Sequence, residues 1–435
     1  MQNKLNTVFL VILLTIGIIQ STQSQDDTYY STGFIRNENA VYRENIQTVL
    51  LYKAGFELSP PIIQLLSDDQ LILSFDDLGG DYKQYRYTLM HCDAFWNKSD
   101  LQPMEYLNGF LDDFVDNYTY SFNTMVRYVN YTVAFPNEDI RITKTGNYIL
   151  RVFLDSDQDE NVVLTRRFMV YEPQVQVEGR VANSVDLNLR YTHHQVSFRI
   201  LGGNYPMSDT YRNLHVAVMQ NGRWDNLIKN VQPRNIIGNE YNYSLVEELV
   251  FPAGNEYRYF DMKTLDYNTD RMQSLQYTAD GYQVYIMTDM PRNKGNYLYE
   301  EDINGRKLIA ANETRDPYSE GDYAWVHFLL PYWPPLAEGN LYVFGALSEW
   351  QFNSTNLMRY NFDLRAYEGK LFLKQGYYNY AYAFLENNAH AGDLTFIEGS
   401  YWETRNEYTV FVYYRQQGDS FDRLVGIGFI NSEGQ

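Results

Sequence analysis

The side chains able to do chemistry fall in a few short stretches. His91, Cys92 and Asp93 stand in a row and would offer either a nucleophile beside a base or three metal ligands. On a strand, neighbouring side chains point to opposite faces, so His91 and Cys92 cannot serve one site without a bulge. No CxxC, HxxxH or HExxH accompanies them. Cys92 reads instead as a small buried hydrophobe, and His193 with His194 fails by the same alternation. Asp155 to Glu160, DSDQDE, alternates carboxylates like the start of a calcium loop. Its sixth position is Glu160 where glycine is needed, and its twelfth is Arg166 where a bidentate glutamate should stand, so it reads as a charged hairpin tip. Acid pairs occur at Asp68 with Asp69, Asp76 with Asp77, Asp112 with Asp113 and Glu300 with Glu301, as chance allows in an acidic chain. A glycosidase would need two carboxyls held in one cleft, which no spacing here dictates. GxSxG, P-loop and GxGxxG contexts do not occur. The expectation is a protein that is no enzyme, with no catalytic residue, metal or cofactor.

What remains is aromatic. Tyr occurs 41 times and Phe 24 times, and four of the six tryptophans, Trp325, Trp333, Trp350 and Trp402, lie in the last third; Trp96 and Trp224 precede them. Exposed Trp and Tyr serve either as stacking platforms for sugars or as anchors for a protein partner.

The elements that must position these rings are strands. Alternating apolar and polar residues in runs of five to eight recur from Val41 to Ile430 with turn residues between them, and β-branched and aromatic residues fill the alternating positions. Leu101 to Ser121 is irregular and reads as a long connecting loop with a helical turn. The pattern predicts an all-β chain of immunoglobulin- or fibronectin-like sandwiches. Tyr171 to Pro173 closes a first unit over 25–173. A polar, poorly periodic stretch after Asp289 separates a second unit, 174–290, from a third, 291–435.

Residues 1–24 carry one Lys, an apolar run and then small polar residues, the layout of a secretory signal peptide cleaved before Gln25. The expected location is the periplasm. The single cysteine forbids an intramolecular disulfide, so packing must hold the fold. A net charge of −20 disfavours nucleic acid and anionic membrane surfaces, since both rest on Lys and Arg. The same charge suits a soluble monomer.

Two resemblances follow from particular phrases. LYVFGALSEWQF, Leu341 to Phe352, followed by KQGYYNYAYAF, Lys374 to Phe384, resembles the glycogen-binding modules of branching enzymes and of AMP-activated kinase. A wider set resembles the plug proteins of the type IX secretion system: YRENIQTVLLY, LSFDDLGGDYKQYRYTLMHCDAFW, YSFNTMVRYVNYTVAFPNEDIRITKTGNY, LTRRFMVYEP, VMQNGRWDN, FPAGNEYRYFD and LYVFGALSEWQFN, in that order. The second resemblance implies three periplasmic β-sandwiches, the third similar to a glycogen-binding module. It also implies that the protein binds and closes the periplasmic opening of the outer-membrane translocon barrel when no cargo is passing. If that barrel is as wide as the largest known, about 36 strands, its wall spans roughly 70 Å. A compact chain of this length spans about 55 Å, against about 37 Å for one sandwich. The aromatic residues expected to meet the barrel are Trp333, Trp350, Tyr380 and Trp402. The competing expectation is a glycan-binding protein that uses Trp350, Tyr380 and Trp402 as its platform.

Overall fold

The computed structural model describes residues 35–432, so the signal-peptide expectation lies outside the described residues. Strands dominate throughout, in several separate sheets with no barrel, as the alternation requires. Hydrophobic side chains gather in three large clusters, each the core of one sandwich-like unit.

The first unit is built from β1 (Ile46–Lys53), β2 (Leu71–Asp77), β3 (Tyr85–Cys92), β4 (Asn117–Tyr120), β5 (Val129–Phe135), β6 (Gly146–Leu154) and β7 (Val162–Tyr171). One sheet runs β7-β6-β3, flanked by the short strands Ala40–Val41 and Asp112–Phe114; the other runs β1-β2-β5-β4, antiparallel throughout. Gly146 opens β6 at φ 139°, where a Cβ would lie 2.5 Å from His91 Nε2, so only glycine lets the two strands close there. The stretch expected to be one long loop, 101–121, instead carries a helical turn, Pro103–Tyr106, and three short strands, Leu107–Gly109, Asp112–Phe114 and β4. The first two of these strands pair with residues 24 or more positions away in the chain, which local spacing does not reveal.

Beyond the first unit the chain does not run as two sequential domains. The second unit begins with β8 (Gln176–Asn183), β9 (His193–Leu201) and β10 (Leu214–Gln220). The chain then leaves through β11 (Arg258–Asp261), β12 (Met272–Thr278), β13 (Gly281–Ile286), β14 (Tyr323–Pro331), β15 (Gly339–Phe344), β16 (Ala366–Lys374) and β17 (Gly376–Glu386), which build the third unit. It returns with β18 (Glu407–Tyr414) and β19 (Arg423–Asn431), and these complete the second unit in the sheet β10-β18-β19. Tyr408, Val410, Val412 and Val425 therefore share a core with Val196, Phe198 and Val216. The division at 290/291, with everything after it in a third unit, is corrected on this point: strands some 190 residues apart pair because both bury the same face. The third unit is nested within the second. Its sheets are β12-β13-β14-β16, with β13 and β14 parallel, and β11-β17 joined by β15 and Lys307–Ile309.

Candidate partner-binding surface

Most residues singled out for chemistry are structural. His91 and Cys92 lie on opposite faces of β3. His91 turns inward, its ring nitrogens 2.8 Å from Ser99 Oγ and 3.0 Å from the Thr145 carbonyl. Cys92 packs with Trp96, Ile149 and Met169 on the outer face, and burial pushes its thiol up to about 12. His194 sits between Tyr408 Oη and the Trp402 carbonyl. At the 155–160 tip, Asp157 and Asp159 take the Arg151 guanidinium, so a cation already occupies that turn. Among the described residues, no group of three or more His, Cys, Asp or Glu could hold a metal ion, and no helix is long and apolar enough to cross a membrane.

The four aromatic candidates separate. Trp333 is 63% exposed, with the Arg365 guanidinium over its ring at 5.2 Å. Trp350 is half-buried, edge-on to Phe344 and Tyr257, and the preceding Glu349 ties two units together. Trp402 is half-buried, its backbone bonded to Tyr191 and His194. Tyr380 is fully buried, and its hydroxyl donates to Asp289 at 2.6 Å. Tyr380 is thus corrected from a contact residue to a core residue. The GYYNYAYAF strand is covered on both faces, and alternation carries no exposure signal there. The platform of Trp350, Tyr380 and Trp402 does not form.

Sequence reasoning also missed the joints that weld the units together. Between the first and third units, Lys374 Nζ lies 2.6 Å from Asp76, both with fully buried side chains. Asp76 also accepts from Tyr323 Oη and Asn130 Nδ2, and the Tyr128 ring lies 4.0 Å from the ammonium. Burial pulls Lys374 below the ordinary lysine value, and Asp76 offsets part of that. A second tie runs from Arg166 through Glu349 to Lys307, each contact 2.7 Å. Burial works to raise Glu349, but the two cations hold it below the usual carboxylate range. Between the first and second units, Cys92, Trp96 and Met169 pack on Ala217, Met219, Phe411 and Tyr413. Arg167 stacks there between Trp96 and Trp224 at 4.7 and 4.8 Å. Between the second and third, Arg223 is held by Asp225 and donates to the Gly392 carbonyl at 2.9 Å. Inside the third unit Arg258 bridges Asp289 and Glu398. Breaking a buried pair of this kind costs several kcal/mol, so each of these contacts ties its two units together.

Exposed aromatics concentrate elsewhere than expected. Tyr82, Tyr118, Tyr120, Phe122 and Met125 stand open on the first unit, and Tyr277 of β12 on the third. Tyr82 and Tyr118 pack at 4.5 Å with their rings tilted by 41°, Tyr118 meets Tyr120 edge-on, and Tyr277 Oη lies 3.8 Å from Met125 Sδ. The patch therefore crosses a unit boundary and leaves a run of rings open at the surface. YTYSF was its only trace in the sequence, and strand aromatics read equally as core. A separate groove of about 760 Å³ lies on the outer face of β12, β13, β14 and β16, lined by Gln276, Tyr285, His327, Arg359, Glu368 and Lys370.

Residues 46–172 match the family described as type 9 secretion system plug protein 1st domain. No curated protein matches the chain. The crystal structure of a hypothetical protein from Parabacteroides merdae is similar at 36% identity and a TM-score of 0.88, covering 92% of this chain and 100% of that one.

Proposed function

The chain belongs to the family of type 9 secretion system plug proteins, and from that premise we propose that it binds the periplasmic opening of the system's outer-membrane translocon barrel and seals it while no cargo is engaged. The observation that carries this reading is the set of buried joints, Asp76 with Lys374 and Glu349 with Arg166 and Lys307 foremost. A stopper must not flex open. Inter-domain contacts without such ties leave units free to move, whereas these turn three sandwiches into one rigid mass. That mass is about 55 Å across, and a barrel of about 36 strands has a mouth on that scale. Its place is the periplasm, held to the outer membrane through this partner, and its work is non-catalytic.

Pull-down of the tagged chain from detergent-solubilised envelopes tests the reading. A large outer-membrane barrel recovered in about equal amount supports it; recovery of none overturns it. A second reading, glycan binding, rests on the groove beside Tyr285 and His327, whose rings stack at 4.3 Å. Retention on a glucan resin, lost on Tyr285→Ala, would favour it.

A further inference from the structure

Resting on the plug reading, we propose that β4 is a docking edge, to which an extended segment of the translocon partner, lying outside its barrel wall, adds as a fifth strand. β4 ends the sheet β1-β2-β5-β4, and all four of its residues are exposed. The register pairs Thr119 with Asn130, and Ser121 donates its N–H to the Tyr128 carbonyl, so these residues face β5. Tyr118 and Tyr120 therefore turn their N–H and C=O groups to the open side. One step further along the same side, the Phe122 N–H donates to the Ser319 carbonyl at 3.0 Å, so this edge already accepts main chain from another segment.

Natural sheets blunt such edges with Lys, Pro or a bulge. The far edge of this sheet obeys: β1 is bulged between Gln47 and Leu50, with Thr48 at φ 49°. Asn-Tyr-Thr-Tyr is short, at four residues, but carries no Lys, Pro or bulge. Its flank is the ring set of Tyr82, Tyr118 and Tyr120, with the more exposed Phe122 beyond. Such an edge recognises an extended chain by its backbone, with apolar side chains at alternate positions to cover the tyrosines. A closed barrel has no free edge of its own, so the segment it can offer is a periplasmic turn or tail.

Tyr120→Pro removes one outward N–H and leaves the bonds to β5 intact, a substitution that edge strands tolerate; Tyr120→Phe keeps the N–H. In pull-downs from solubilised envelopes, wild type and Tyr120→Phe should recover the barrel equally. Tyr120→Pro, with an unchanged melting temperature, should recover at least about tenfold less. A photo-crosslinking residue in place of Asn117 should form an adduct with a barrel-protein peptide outside the membrane strands, and this arm decides the matter if the proline variant misfolds. Full recovery by a folded Tyr120→Pro, or no adduct from position 117 while wild type still recovers the barrel, overturns the inference and leaves the plug reading standing. Failure of wild type to recover any barrel removes both.

Discussion

Asp76→Ala probes the joint between the first and third units. Among the described residues, the carboxylate is the one anion paired with the buried Lys374 ammonium, at 2.6 Å, with Asp316 and Asp322 acting on that ammonium from further off; the carboxylate also accepts from Tyr323. Without it, Lys374 must stay charged in a buried joint, held by the Tyr318 carbonyl, or shed its proton on folding. The second route sets a ceiling: relative to an unfolded lysine titrating near 10.4, neutralisation at pH 7.5 costs about 4 kcal/mol, at ~1.4 kcal/mol per pH unit. That agrees with the roughly 3–5 kcal/mol measured when one partner of a buried pair is removed. In the variant the unfolded chain then holds one proton more than the folded chain up to about pH 10, so its stability rises with pH. The deficit should shrink from about 4 kcal/mol at pH 7.5 to about 1–2 kcal/mol at pH 9.5. Adding Lys374→Met removes the stranded charge and should restore much of the loss at either pH. Urea unfolding of wild type, Asp76→Ala and the double variant at both pH values measures all of this. A deficit under about 1 kcal/mol at pH 7.5, or one that does not change with pH, would refute a dry, charge-bearing joint.

Three further outcomes are expected. Truncation after Ser400 removes β18 and β19, two of the three strands of the sheet they form with β10, and should leave β8 to β10 protease-sensitive while the first unit stays protected; a resistant second unit would mean sequential domains. Burial raises Glu256 to about 7 and Asp302 to about 6; both folded values lie above the unfolded ones, so stability should fall as pH rises from about 4.5 to 7, and Glu256→Gln should flatten that slope in melts taken across the window. Cys92, buried with its thiol pushed up to about 12, should resist a maleimide in the native protein and react fully in denaturant; rapid native labelling would place it at the surface.

The all-β class was legible because strands such as β3 alternate in the sequence itself, Tyr85, Tyr87 and Leu89 turning inward between Arg86 and Thr88. The nesting of the third unit was not, since nothing local in EYTVFVYY says that it must pair with LHVAVMQ across an inserted unit. Exposure was the least legible property. Tyr380 and Tyr120 both stand in aromatic strands, yet one donates to a buried carboxylate and the other faces solvent. What separates them is whether a second layer covers the strand. The joints were invisible for the same reason, because Asp76 and Lys374 are nearly 300 residues apart and each looks like an ordinary surface charge.

The sealing claim is tested most directly by conductance. With the translocon barrel reconstituted in a planar bilayer, the purified chain added on the periplasmic side should close the pore in a single step and reopen it on washout. An open-pore current unchanged at saturating protein would contradict the account.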